Sequence, residues 1–202
     1  MYLKLKRGLD FLLSLFAIIV FSWLIIIISL LIKKEDGGNI IFKQKRIGKN
    51  KKEFYIYKFR TMKTSTPKDI PTHLLENPES YITNIGKFLR KSSLDELPQL
   101  FNILKGEMSI VGPRPALWNQ YDLISERDKN GSNDITPGLT GWAQVNGRDE
   151  LPIEIKAGYD GEYISKMSLW FDIKIIFMTV ISVFKAEGVV EGKNEGTDNR
   201  KK

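Results

Sequence analysis

Two adjacent carboxylates, Asp95 and Glu96, are the first candidates for chemistry in this sequence. They stand in the segment 92–98 (SSLDELP), where Ser93 and Glu96 fit a capping box and acidic side chains favour the first turn of a helix. A helix N-terminus also gathers backbone N–H donors that bind phosphate readily. A carboxylate placed there is expected to have a depressed pKa and can act as a nucleophile or a Mg²⁺ ligand. The structural and the functional interpretation are compatible.

Five cations stand in hairpin or Pro/Gly-rich contexts in which they could bind phosphate. Arginine in a rigid loop suits bidentate phosphate recognition, and the segment 112–115 (GPRP) is the clearest case because two prolines fix the backbone. The sequence has no Walker-type loop and no G-x-G-x-x-G, which argues against nucleoside triphosphate or dinucleotide binding by those folds. It also has no Asp-x-Asp pair of the kind common in metal-dependent glycosyltransferases. Taken singly, each of the five also fits an ordinary surface charge: Lys58, Arg60, Arg90, Arg114 and Arg148.

The composition restricts the metals and the number of domains. The chain has 202 residues, 42% hydrophobic and 27% charged, which fits one membrane-associated globular domain. It has no cysteine and one histidine, His73, so thiolate and His-cluster metal sites are excluded. Any metal must therefore be a hard cation held by carboxylates, Mg²⁺ or Mn²⁺.

The net charge of +7 is concentrated in residues 33–69, which hold twelve basic and four acidic side chains. This stretch follows an apolar segment, and a basic stretch beside a membrane is attracted to anionic lipid headgroups by about 1 kcal/mol per charge. A solvated face or a nucleic-acid patch is the alternative. The position in the chain favours anionic membrane lipids.

Residues 11–32 form a run of 22 positions without an ionisable side chain. At about 1.5 Å per residue, a helix of this length could cross a bilayer core. A cleaved signal peptide is disfavoured, because Lys33 and Lys34 stand where small residues should precede a cleavage site. Basic residues flank both ends, which suits a hairpin that enters and leaves by one face, and the Ser22 hydroxyl could help the helix bend. Sequence physics alone leaves a full span and a hairpin open.

The rest of the chain predicts a mostly helical α+β domain. β-Branched and aromatic residues at 39–42 and 54–59 predict a short β-hairpin. The proline-rich segment 64–78 and the turn-rich segment 137–147 predict loops, and 112–115 must be irregular. Apolar spacing predicts three helices, the last of them buried or interfacial: 82–89, 97–104 and 169–184.

Three segments together, with a fourth that continues the similarity at 137–148, resemble the bacterial sugar transferase family, the monotopic polyprenyl phosphate phosphoglycosyl transferases. Each segment is weak alone, but the ordered set is highly specific, and the similarity continues to Asp160 and Tyr163 and covers nearly the whole chain to about Gly188. The segments are 57–62 (YKFRTM), 93–100 (SLDELPQL), 112–115 (GPRP) and 137–148 (PGLTGWAQVNGR).

The resemblance implies a two-step transfer of a sugar-1-phosphate from a UDP-sugar to polyprenyl (undecaprenyl) phosphate. Asp95 would attack the sugar-linked phosphate, release UMP and carry the phosphosugar, which the polyprenyl phosphate would then remove as polyprenyl diphosphosugar. Glu96 would complete the catalytic pair, and Mg²⁺ would be held by Asp95 and Glu96. The residues implied to bind substrate are Lys58, Arg90, Arg114, Arg148 and Asp160.

The implied architecture is a re-entrant membrane helix at 1–34, a catalytic domain at 35–188 lying at the membrane interface, and a flexible charged tail at 189–202. Family members usually break the membrane helix with Ser-Pro, whereas this chain has Ser22-Trp23 and so lacks the kinking proline. Re-entry is still favoured, because a site that uses UDP-sugars must face the cytosol and the basic flanks should stay there. The expected location is the bacterial inner membrane, at the first membrane step of surface glycoconjugate synthesis.

Two other functions compete with the transferase. The basic composition suggests a tethered nucleic-acid-binding protein, but the sequence has no such motif and no nucleic-acid partner is expected. A non-catalytic scaffold of polysaccharide assembly is the second, and the intact Asp95-Glu96 pair argues against it. The donor and the pathway are not specified by the sequence. Segments 115–120 and 149–152 are closest to members that transfer 6-deoxy-N-acetylhexosamine phosphates.

Overall fold

The computed structural model describes residues 2–66, 78–147 and 151–185. Within these residues the fold is α+β and mostly helical, as predicted from the sequence. The helices are α1 (Tyr2–Asp36), α2 (Asn84–Lys91), α3 (Gln99–Lys105), α4 (Tyr121–Asp128), α5 (Trp142–Val145), α6 (Ile153–Lys166) and α7 (Leu169–Lys185). The strands are β1 (Ile41–Ile47), β2 (Glu53–Phe59), β3 (Ser109–Val111) and β4 (Gly138–Thr140).

Helix α1 has 35 residues and is long and apolar enough to cross a membrane. At 1.5 Å per residue it is about 50 Å long. Its buried residues follow a spacing of four, so that one stripe faces the rest of the protein while large apolar side chains cover the other faces. The buried residues are Lys6, Asp10, Ser14, Ile28 and Ile32.

The predicted membrane hairpin is not visible as a break in α1. The helix is continuous through Ser22, whose hydroxyl donates to the carbonyl of Ile19 at 2.8 Å. Trp23, the neighbour that replaces the expected proline, keeps its backbone N–H and is 60% exposed. Whether the helix re-enters the membrane stays a prediction.

Two apolar clusters join α1 to the domain. Ala17 and Ile18 pack on a cluster built around Phe54 and Ile56 of β2 and Ile103 of α3. Further along α1, the second cluster is built from Ile28 and Ile32 of α1, Phe59 of β2 and Leu89 of α2. Strand β2 therefore contributes residues to both clusters on which α1 packs.

The predicted β-hairpin is confirmed, with a longer first strand than the sequence indicated. Strands β1 and β2 are antiparallel and pair Phe42 with Lys58 and Arg46 with Phe54. The short parallel pair of β3 and β4 was not predicted, because strands of three residues carry too few positions for a pattern. The predicted helices at 82–89, 97–104 and 169–184 are confirmed as α2, α3 and α7, and every end agrees within two residues. The predicted tail at 189–202 and most of the 64–78 loop lie outside the described residues.

Candidate active site

Asp95 and Glu96 lie on a short 3-10 turn, Leu94–Glu96, between α2 and α3. The capping box expected from Ser93 is wrong: this residue has φ 56° in the left-handed region and its side chain makes no capping hydrogen bond. A helix starting here would need Pro98 to donate to the carbonyl of Leu94, and proline has no N–H. Instead Leu97 donates to that carbonyl at 3.2 Å. The two carboxylates are thus presented by a tight turn and not by an α-helix N-terminus.

Two cations from distant parts of the chain meet the carboxylate pair. Lys58 of β2 donates to Glu96 Oε1 at 2.8 Å, and its ammonium lies 3.8 Å from Asp95 Oδ2. Arg114, from the loop after β3, donates to the same Glu96 oxygen at 3.2 Å. The side chains of Lys58, Asp95 and Glu96 are each less than one fifth exposed. The sequence prediction that these four residues share a site is therefore consistent with their placement.

Burial and charge act differently on the two carboxylates. Burial raises the pKa of Asp95, and Glu96 raises it further, while the charge of Lys58 acts in the opposite direction. The depressed pKa expected for Asp95 is therefore wrong, because burial outweighs the opposing charges of Lys58, Arg90 and Arg114. Glu96 is also penalised by burial, but the charges and hydrogen bonds of Lys58 and Arg114 outweigh it and lower its pKa to about 2. Glu96 is thus a permanent anion that neutralises the cations around Asp95.

Arg90 lies in the last turn of α2, near enough to the carboxylate pair for its charge to act on Asp95. Its Nε donates to the hydroxyl of Thr61 at 2.9 Å, which orients the guanidinium. Its charge lowers the pKa of Asp95, although burial outweighs this effect. The predicted position of Arg90 near the carboxylate pair is consistent with these contacts.

The Arg114 loop approaches β4 and the residue after it so closely that two positions, Gly138 and Gly141, must be glycine. A Cβ on Gly138 would lie 2.1 Å from the backbone nitrogen of Gly112, and one on Gly141 would lie 2.1 Å from the Gly112 oxygen. Gly112 donates to the carbonyl of Thr140 at 2.8 Å across this gap. The segment 137–141 (PGLTG) therefore packs against the loop that carries Arg114 and holds its backbone in place.

Asp160 of α6 is placed behind this loop. It is 1% exposed, and its carboxylate pairs with Arg127 of α4 at 2.6 Å. Sequence reasoning missed Arg127, since a lone arginine on a short charged helix has the pattern of a solvated residue. Arg148 lies outside the described residues, so its predicted role in the site stays a prediction.

The carboxylate pair fits the requirements of Mg²⁺. Oxygen ligands are the class that this ion prefers, and it usually takes one or two carboxylates and completes its octahedron with water and substrate phosphates. The described residues contain no cluster of three or more His, Cys, Asp or Glu side chains that could form an all-protein cage. Asp95 and Glu96 would therefore hold Mg²⁺ together with the phosphates of a substrate.

Comparison with known proteins identifies the class to which this arrangement belongs. A family model described as bacterial sugar transferase matches residues 1–186. The chain belongs to the bacterial sugar transferase family, which confirms the resemblance drawn from its motifs.

Three curated relatives illustrate the similarity. The sugar transferase EpsL of Bacillus subtilis is 39% identical over 92% of this chain and 90% of its own length. The UDP-glucose:undecaprenyl-phosphate glucose-1-phosphate transferase of Escherichia coli is 41% identical over 89% of this chain and 40% of its own length. The UDP-N-acetylgalactosamine-undecaprenyl-phosphate N-acetylgalactosaminephosphotransferase of Aeromonas hydrophila is 37% identical over 93% of this chain and 45% of its own length. The chain thus spans less than half of the last two proteins and nearly all of the first.

Proposed function

We propose that this protein transfers a sugar-1-phosphate from a UDP-sugar to polyprenyl phosphate, with Asp95 as the nucleophile. The observation that carries the proposal is the pair of carboxylates held within reach of Lys58 and Arg114, with the Lys58 ammonium 3.8 Å from Asp95. Relatives matched over about nine tenths of this chain carry the names of undecaprenyl-phosphate sugar phosphotransferases. The site therefore supports phosphosugar transfer better than nucleic-acid binding or a purely structural role.

In the first step an Asp95 oxygen attacks the phosphorus that bears the sugar, and the bond from that phosphorus to the UMP oxygen breaks. UMP leaves, and an aspartyl phosphosugar remains. In the second step an oxygen of polyprenyl phosphate attacks the same phosphorus, the bond to Asp95 breaks, and polyprenyl diphosphosugar is released. Two displacements through a covalent intermediate replace one difficult transfer between anions.

The surrounding residues have distinct tasks in this scheme. Lys58 and Arg114 stabilise negative charge that develops on the transferred phosphate, and such fixed donors are worth about 10²- to 10³-fold in rate. Glu96, ionised at every working pH because its pKa is about 2, holds both cations in place before substrate arrives. Mg²⁺, when bound at Asp95 and Glu96, would neutralise the diphosphate and so reduce its repulsion of the attacking carboxylate.

We further propose that α1 enters and leaves the inner membrane by the cytosolic face. Near its start, Lys6 lies 2.5 Å from Asp172 of α7. At its other end, Glu35 accepts from the backbone N–H of Asn84 at 2.7 Å, and Asp36 accepts from that of Thr64 at 2.6 Å. A helix that crossed a hydrocarbon core of about 30 Å would place its two ends on opposite faces. Contacts of both ends with one domain support re-entry.

The acceptor's phosphate lies at the lipid headgroups, and the exposed surface suits that location. Trp170 and Phe177 of α7 are 79% and 65% exposed, seven residues apart on one helix face. We propose that they bind anionic lipid together with the exposed apolar side chains of α1 and the basic residues after it. The donor sugar is proposed to be a 6-deoxy-N-acetylhexosamine. The named relatives use several different sugars, so the donor has to be measured.

The test is UMP release by detergent-solubilised protein with Mg²⁺, undecaprenyl phosphate and a panel of UDP-sugars. Release is expected with one donor class and is expected to vanish in Asp95→Asn, which keeps the shape of the side chain. Brief incubation with a labelled donor in the absence of lipid should leave label on the wild-type protein and none on Asp95→Asn. Release that persists undiminished in Asp95→Asn would reject Asp95 as the nucleophile, and inactivity towards every donor would favour the scaffold.

A further inference from the structure

The loop that carries Arg114 is held through four successive backbone carbonyls. Two of its residues are prolines, which have no backbone N–H to donate. The position of the loop therefore depends on the hydrogen bonds that its carbonyl oxygens accept. Each of the four accepts from a different donor elsewhere in the chain. These are Gly138 N–H to Pro113 (2.9 Å), Arg127 Nη1 to Arg114 (2.9 Å), Arg46 Nη1 to Pro115 (3.0 Å) and Ile47 N–H to Ala116 (2.9 Å).

Arg127 is the donor whose burial needs an explanation. It is 3% exposed and lies against Asp160, which is 1% exposed. Its Nε and Nη2 face Asp160 Oδ2 at 2.8 and 2.6 Å, while Nη1 points to the Arg114 carbonyl. A buried ion pair loses so much hydration that it adds little net stability compared with apolar residues. The pair therefore has no clear advantage for folding alone.

We propose that Arg127 and Asp160 are positioning residues that set the place of the Arg114 guanidinium over Glu96. The inference rests on the proposed function for its effect on catalysis. Asp160 fixes the plane of the Arg127 fork, and the remaining edge of that fork fixes the backbone of Arg114. Only arginine offers donors on two edges at fixed angles. Both side chains are almost fully buried, so in this proposal they act through Arg114, and Asp160 does not take the substrate-binding role that the resemblance implied.

The first test replaces Arg127 by lysine, which keeps the charge and can pair with Asp160 but cannot bind the Arg114 carbonyl at the same time. We expect kcat/KM for UMP release to fall by about ten- to hundred-fold, the range for a small misplacement of a catalytic group. In an Arg114→Ala background the same change should cost less than about two-fold, because the group being positioned is absent. Equal losses in both backgrounds would overturn the proposal.

Two further variants separate positioning from folding. Lys129→Met, at the end of the same helix, removes an exposed pair with Glu126 and should leave kcat/KM unchanged. Arg127→Met combined with Asp160→Met removes the buried pair without leaving an unpaired charge, so the protein should fold. It should nevertheless show the loss seen with lysine. Wild-type activity in this double variant would also overturn the proposal.

A readout that does not need turnover distinguishes failure of this inference from failure of the proposed function. The Nε–H resonance of Arg114 in arginine-labelled protein, assigned by its loss in Arg114→Ala, should shift or broaden in Arg127→Lys and stay in place in Lys129→Met. An unchanged resonance would reject the positioning role even if the enzyme is active. A shift in a protein inert towards all UDP-sugars would retain the positioning role and reject the proposed reaction.

Discussion

At the scale of single residues, the site places Asp95, the proposed nucleophile, whose pKa is raised, beside Glu96, whose pKa is lowered. Lys58 lies 2.8 Å from Glu96 and 3.8 Å from Asp95, so it favours the ionised form of both. Asp95 must be ionised to attack phosphorus, and its raised pKa brings its titration closer to the working pH range. The acid side of the pH profile should therefore report on the cations around it.

Lys58→Met should move the acid limb of kcat/KM to higher pH. Removing the ammonium leaves burial and Glu96 to oppose ionisation of Asp95, so its pKa rises further. Activity at neutral pH should fall by about 10²-fold or more, since a preorganised donor is also lost. The measurement is the pH dependence of UMP release from below pH 5 to above pH 8.

The matched control is Lys43→Met on β1. Lys43 pairs with Tyr57, the neighbour of Lys58 on β2, so its side chain lies on the opposite face of the hairpin from that of Lys58. Its acid limb should coincide with that of the wild type. Lys58→Arg should keep most of the wild-type limb because it keeps the charge. An acid limb that stays in place, or moves to lower pH, in Lys58→Met would show that Lys58 does not govern the ionisation of Asp95.

At the scale of elements, α1 is attached to the domain by a buried polar cluster near its N-terminal end. Asp172 of α7 accepts from Lys6 at 2.5 Å, from Tyr2 at 2.6 Å and from Tyr163 at 2.8 Å. Asp10, one turn after Lys6, accepts from the Ser109 hydroxyl at 2.7 Å. These contacts join α1 to α7, α6 and β3, so the cluster connects the apolar helix to the part of the fold that holds the Arg114 loop.

Lys6→Met should lower the free energy of unfolding by about 3 kcal/mol. Removing Lys6 leaves the buried charge of Asp172 without its ion-pair partner. The loss of stability should lie at the lower end of the usual range, because Tyr2 and Tyr163 still donate hydrogen bonds to Asp172. The measurement is thermal or urea unfolding of the protein in detergent micelles. Lys129→Met, which removes an exposed pair, should change stability by less than about 1 kcal/mol. A similar small change in Lys6→Met would show that the cluster does not hold α1.

The elements show what the sequence could and could not reveal. The hairpin, α3 and α7 carry β-branched or helical apolar patterns long enough to be recognised, and the carboxylate pair stood out by its motif. The left-handed backbone of Ser93 could not be predicted, because serine rarely adopts this conformation and the turn depends on Pro98, which lies beyond it. Arg127 and Asp160 are 33 residues apart, and nothing in their local sequence distinguishes a buried ion pair from two surface charges.

At the scale of the whole molecule, the contacts of α1 make the topology testable. These 202 residues contain no cysteine, so single cysteines can be introduced without removing others. Lys4→Cys and Lys34→Cys, both at exposed positions of α1, should react with a membrane-impermeant maleimide in inside-out vesicles and stay unlabelled in intact spheroplasts. Lys129→Cys on the catalytic domain should behave in the same way and serves as the reference. Labelling of Lys4→Cys from outside the spheroplast would rule out re-entry and favour a span.

The ion pair between Lys6 and Asp172 also implies an order of events during synthesis of the chain. The two residues are 166 positions apart, so at about 5–20 residues per second the lysine waits on the order of ten to thirty seconds for its partner to be made. During that time the apolar helix is already complete while α7 is not. The ribosome therefore completes α1 before the buried cluster can form, and the cluster closes only after α7 has emerged.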